Sequence, residues 1–287
     1  MGFPSYLINA ELIADLASVW FGKRFDVHGP LQEHGNFCIP TFWGNQPVAH
    51  PNAGPFSHKP RQDLKIEPTW SEFGTPFELF SKYSDSDSVT GAFWRATRFY
   101  ARALRSFDND PEVAFFNLIV AIEMLAAGMD FAEDQIFDAE ILEIFQRIRE
   151  ELCDGERVER IVRSWHYRVR RKVSLCAVEL TNDNFFDGSE AEHPAGRLSK
   201  EDLFDRIKNA FDLRSKYAHA GADIGEWLNI LADLNEEIQL GPPEMKDRKL
   251  ANLIRKAPTL GGLERLVRFM TLRFAHKEIS PVHEALE

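Results

Sequence analysis

From Phe93 onward, apolar and polar positions alternate at helical spacing. Phe93, Ala96, Tyr100, Ala103 and Phe107 recur at three- and four-residue steps, which predicts one buried stripe. The next segment opens with Asp110 as a cap and Pro111 at the first helical position. It is then apolar on nearly every side as far as Gly128, which predicts the central helix of a bundle. Ile136 to Leu152 and Val158 to Leu180 predict two further amphipathic helices. Val158, Val162, Trp165, Val169 and Val173 form the core stripe of the second. Another helix is predicted from Ser199, with Asp202 three residues on and Leu198 and Leu203 placed as a hydrophobic staple. Gly221 stands where glycine commonly ends a helix. Two or three shorter helices follow, the last over Leu263 to Glu278, and no internal repeat is visible.

Residues 1–90 carry a different pattern. A helix over Ala10 to Phe21 gives way to a stretch rich in proline, glycine and aromatics, for which short strands and turns are expected. Nine of the 15 prolines precede residue 80, so helical periodicity is excluded from most of this region. Ser81 to Gly91 is small and polar and reads as a linker. The expected fold is mainly α: a helical bundle over 91–287, preceded by a small irregular or mixed α/β region over 1–90.

Composition narrows the class. A length of 287 residues with 44% hydrophobic content is enough for one large domain or two modest ones. A net charge of −11 argues against non-specific coating of nucleic acid but leaves room for a local basic groove. Cys38, Cys153 and Cys176 are far apart and form no Cys-x-x-Cys pair, which suits reduced thiols and a cytoplasmic location. The N-terminus lacks a basic stretch followed by an apolar one, so no signal peptide is expected. The longest apolar run, Val113 to Ala127, is interrupted by Asn117 and Glu123 and is short for a membrane span. His28, His34, Cys38, His50 and His58 cluster in the N-terminal region, but no two have the spacing of a structural zinc site. There is no glycine-rich phosphate loop, G-x-S-x-G elbow or H-E-x-x-H pair, so neither a metal nor an organic cofactor is expected.

Phe204, Ile207, Phe211, Arg214 and Ala218 follow helical spacing and set Arg214 in line with an apolar stripe. A guanidinium stays charged, so burial demands a carboxylate or a bound anion. Glu123, alone among apolar neighbours, is the natural partner, and Glu123 with Arg214 could be simply a structural ion pair. His219 lies five residues after Arg214, about 140° away around the helix. Ser215 shares the face of His219, and Tyr217 lies between them. A titratable histidine, a fixed cation and hydroxyls suit phosphodiester chemistry. Arg95, Arg98, Arg102 and Arg105 form a basic stripe opposite Phe93, a candidate track for RNA phosphates alongside Lys216.

The stretch LRSKYAHAG, residues 213–221, resembles the signature of the HEPN superfamily, and most closely the ApeA-like HEPN group. The upstream RFYARALRSFDNDPEVAFFNLIVAIEMLAAG is similar to the same group: an arginine-rich helix, an acidic turn, then an apolar helix with Ile-Glu-x-Leu. The likeness covers about residues 92–280. It implies a helical bundle and a metal-independent endoribonuclease, a toxin or defence effector acting as a homodimer and restrained by an antitoxin or regulatory protein. Arg214 and His219 match the motif arginine and histidine, with Ser215, Tyr217 and Glu123 supporting; Ser215 replaces the commoner Asn, Asp or His. That departure is what a non-catalytic module binding nucleotide, RNA or a protein partner would show. The 140° separation favours a site shared by two copies, with Leu213, Tyr217 and Ala220 as the nearest residues for pairing.

Overall fold

The computed structural model describes residues 6–28, 32–33, 36–37, 55, 59–82, 88–165, 168–221, 223–228 and 235–287. The chain is mainly helical. Its helices are α1 (Tyr6–Phe21), α2 (Gly74–Ser81), α3 (Ser88–Ser106), α4 (Pro111–Ala127), α5 (Glu133–Ile136), α6 (Ala139–Glu151) and α7 (Gly155–Trp165). They continue with α8 (Val169–Glu179), α9 (Asp183–Asp187), α10 (Leu203–Ala220), α11 (Gly225–Leu228), α12 (Arg248–Lys256) and α13 (Leu260–Glu278). One antiparallel pair, Gln32–Glu33 with Asn36–Phe37, is the only sheet among the described residues. None of the described helices is long and apolar enough to cross a membrane.

The expected start of α4 is present: Asp110 accepts a hydrogen bond from the Val113 amide at 3.0 Å, and Pro111 needs no partner for a missing N–H. The stripe on α3 is buried as its spacing requires. As expected, α4 is central and packs against α3, α8, α10, α11 and α13, but the most completely buried of the described helices is α13. Leu260 and Gly262–Ala275 are all buried, including Glu264, Arg265 and Arg268. Periodicity cannot reveal this, because charged residues mark a solvated face unless their partners are known.

Those partners come from the N-terminal region, from α3 and from two loops, one of which gives Glu237 to Arg265 at 2.7 Å. Glu264 accepts from Arg61 Nη1 and Nη2 at 2.9 and 2.8 Å, and the Tyr100 hydroxyl donates to the same carboxylate. Arg61 also pairs with Glu190 at 2.7 Å. Arg268 pairs with Asp63 at 2.8 Å and donates to the carbonyls of Val19 and Trp20. Gly22, in the left-handed region at φ 60°, sits where a Cβ would meet Arg268 Nε at 2.7 Å, so the close approach needs glycine. The described part of residues 1–90 therefore does not stand apart: α1 packs on α3 and α13, and Leu16, Trp20, Leu64 and Ile66 belong to the same apolar core as the bundle.

Two other expectations are corrected. The predicted helix from Val158 to Leu180 is two helices, because its halves serve different cores. Val162 of α7 packs with Ile136, Phe137 and Phe145, whereas Val173 and Cys176 of α8 face the main core. The side chain of Trp165 lies outside the described residues. Secondly, α10 begins at Leu203 rather than beside Ser199. Ser199 Oγ is 2.9 Å from Asp202 Oδ1, and Asp202 pairs with Arg206 at 2.6 Å, so the capping groups satisfy each other across a turn.

Candidate functional site

The site is built where α4, from Glu112 to Glu123, faces the second half of α10. Glu112, Phe116, Ile119 and Glu123 follow four-three-four spacing and form one face of α4. Glu112 accepts the amides of Ile224 and Gly225, each at 2.9 Å, and so anchors the chain just after the motif helix. Phe116 lies under Arg214, whose guanidinium carbon is 4.8 Å from the ring centroid, and contacts Tyr217 edge-on at 6.5 Å. Glu123 meets Arg214 Nη2 at 3.4 Å. Phe116 was not singled out from the sequence, although its place seven residues before Glu123 puts both on one stripe.

The inward face of α10 is Leu203, Ile207, Ala210 and Leu213, all buried. Phe204 and Phe211 are half-buried and Ala218 is exposed. The buried stripe is thus rotated from the predicted one, which sets Arg214 at its edge with 20% of its side chain exposed. Leu213, expected near a pairing surface, is fully buried and unavailable for it, since it sits three residues after Ala210 on the inward face. Tyr217 is half-buried against Phe116, and burial with the nearby Asp110 and Glu112 raises its hydroxyl pKa. The Ala220 side chain lies outside the described residues.

The Arg214–Glu123 pair is loose. Arg214 Nη2 is also 3.5 Å from Glu123 Oε2, and Arg214 Nε and Glu123 Oε1 have no hydrogen-bond partner among the described residues. Aromatic rings on two sides, Phe116 and Phe211, do the rest of the holding. A cation so held keeps donor capacity for an incoming anion. Burial lifts the Glu123 carboxyl above its ordinary range, and Arg214 only partly opposes this. From about pH 4.3 upward, the folded chain therefore retains a proton that the unfolded chain has released, so this group's contribution to stability declines as pH rises through its folded pKa. Glu123→Gln is expected to flatten that dependence in melting curves taken from pH 4 to 7. It should cost under about 1 kcal/mol at neutral pH, because the pair is long and partly exposed. A loss of about 3 kcal/mol or more would mark a buried structural pair instead.

His219 stands in the last turn of α10, exposed and without a hydrogen-bond partner among the described residues. The helix closes just beyond it: Gly221, at φ 59°, donates its amide to the Tyr217 carbonyl at 3.1 Å. Ser215 is half-buried, and Lys216 is exposed near Asp247, whose carboxyl it helps to hold low behind the amides of Leu250 and Lys249. Within one chain, Arg214 and His219 are not brought together; they occupy different faces of α10.

The arginines of α3 separate into two groups. Arg95, Arg98 and Arg102 are exposed. Arg105 is not available as a phosphate contact, because it pairs with Asp15 at 2.6 Å and Asp26 at 3.2 Å and ties α3 to α1. Since α4 lies between α3 and α10, this stripe is also remote from the motif. Of the histidine and cysteine cluster, His28 is exposed, and His34, Cys38, His50 and His58 lie outside the described residues. Comparison of the chain with protein-family models, with curated proteins and with solved structures found no match.

Proposed function

We propose that the chain is a metal-independent endoribonuclease of HEPN type, active as a homodimer and acting as a toxin or defence effector under the control of a partner protein. The RNA 2′-hydroxyl loses its proton to a histidine and attacks the adjacent phosphorus. The P–O bond to the next nucleotide breaks, and a histidine returns a proton to the departing 5′-oxygen. The ends formed are a 2′,3′-cyclic phosphate and a 5′-hydroxyl. One exposed His219 per chain supplies one proton-transfer group, so two copies supply both the base and the acid. Arg214 neutralises the charge that builds on the phosphate.

The observation that carries this reading is the state of Arg214. It is partly exposed, cradled by two rings and, among the described residues, loosely paired through Nη2 alone. A second reading, a non-catalytic module that binds RNA, nucleotide or protein through the same surface, is favoured by the placement of Arg214 and His219 on different faces of α10. Purified protein incubated with mixed cellular RNA separates the two. Cleavage that persists in excess chelator and leaves cyclic phosphate ends is expected. Intact RNA together with measurable binding supports the module instead, and cleavage abolished by chelation contradicts the metal-independent mechanism.

A further inference from the structure

Two adjoining concavities of about 560 and 630 Å³ lie along α10, between α8 on one side and the end of α12 on the other. They share Arg170 and Lys208 in their walls and so read as one groove. Its cations exceed its carboxylates even though the chain as a whole carries −11. Asp138 is shared by Arg168 and Arg171 and can neutralise only one of them. Arg255 and Lys256, exposed in the last turn of α12, form no ion pair among the described residues. Beside these charges lie two half-buried rings, Phe204 and Phe211. Phe211 packs against the core, but Phe204 is not among the rings that do. Phosphate-binding cations flanking accessible aromatic faces are what a single strand requires.

The α10 wall has a direction. Phe204, Lys208, Phe211, Ser215 and His219 succeed one another at four-three-four-four spacing, which keeps them on one face of the helix for about 22 Å. The first three line the groove, and the last two continue it toward the helix end. Arg214 overlooks the same path, with its guanidinium carbon 5.6 Å from the Phe211 centroid.

We propose that single-stranded RNA lies in the groove between α8, α10 and α12, and that the α10 face leads it to His219. The identity of the ligand rests on the ribonuclease reading; the path rests on the groove itself. The bases stack on Phe204 and Phe211, and the phosphates are met by Lys208, Arg171, Arg255 and Lys256. The α3 stripe is then a solvated face.

The test is fluorescence anisotropy of the full chain with a labelled 12-nucleotide single-stranded RNA of mixed sequence, 2′-O-methylated so that it cannot be cleaved. Phe204→Ala is expected to weaken binding by about 5- to 150-fold, the range for losing one stacked base. Arg255→Ala with Lys256→Ala should reduce the slope of log affinity against log salt by about 1.4, as for two lost phosphate contacts. Melting curves should be unchanged in both. Arg95→Ala, Arg98→Ala and Arg102→Ala together should leave binding as it was. Unchanged binding in the groove variants, or weakening confined to the α3 variant, overturns the proposal. Absence of RNA binding by the wild-type chain also overturns it and assigns the groove to an acidic protein partner. Because the probe cannot be cleaved, groove-dependent binding by a chain that cuts no RNA would sustain the path while ending the nuclease reading. Cleavage of ordinary RNA undiminished in the groove variants would do the reverse.

Discussion

Replacing His219 by alanine is expected to lower RNA cleavage by about 10²–10⁴-fold, the usual worth of a positioned proton-transfer group, with no change in melting temperature. The side chain is exposed and makes no hydrogen bond among the described residues, so the fold does not depend on it. Arg214→Ala should also abolish cleavage, but with a small stability loss, because its guanidinium rests on Phe116 and Phe211. If each active site takes its residues from two copies, mixing the His219→Ala and Arg214→Ala chains restores part of the activity. Cleavage undiminished in His219→Ala would sink the mechanism. A fully active monomer by light scattering would sink the shared site.

The largest stability effect is expected far from the motif, at Glu264. Its carboxylate holds both terminal nitrogens of Arg61 and the Tyr100 hydroxyl in an environment closed to water. Burial and the facing Glu264 charge keep Tyr100 protonated well beyond the usual range, so it remains a donor at any practical pH. Glu264→Ala strands a buried guanidinium and a buried hydroxyl, with Glu190 and the less direct Asp63 left to oppose the Arg61 charge. The loss should be about 3–5 kcal/mol, read as a melting temperature lower by roughly 6–20 °C. A loss under about 1 kcal/mol in urea titration would show that water reaches the cluster. Cleavage per folded molecule should stay near wild type, which separates this scaffold role from the site.

Much of the local structure was legible from the residues alone. The start of α4 follows from Asp110 and Pro111, the end of α10 from Gly221, and the buried face of α3 from its spacing. The pairing of Glu123 with Arg214 was also foreseeable, since an isolated charge on an apolar helix must find a counter-charge. These features depend on groups within a turn or two of one another, or on a demand that a single residue announces.

What only the tertiary structure decided depends on residues distant in the chain. The Glu264, Arg265 and Arg268 stretch reads as a solvated face until its partners are seen: Arg61 and Asp63, more than 200 positions away, neutralise Glu264 and Arg268, and Glu237 neutralises Arg265. The burial of Leu213 and the partial exposure of Arg214 turn on a rotation of α10 that its neighbours α4, α8 and α12 set together. The split of Val158–Leu180 into α7 and α8 follows from a second small core that no periodicity reports. The basic groove combines side chains from α8, α10 and α12, which lie far apart in the sequence. Helix formation is governed by near neighbours, so the sequence reveals it directly. Burial of charge and the joining of surfaces depend on which distant segments meet, and the three-dimensional packing alone determines that.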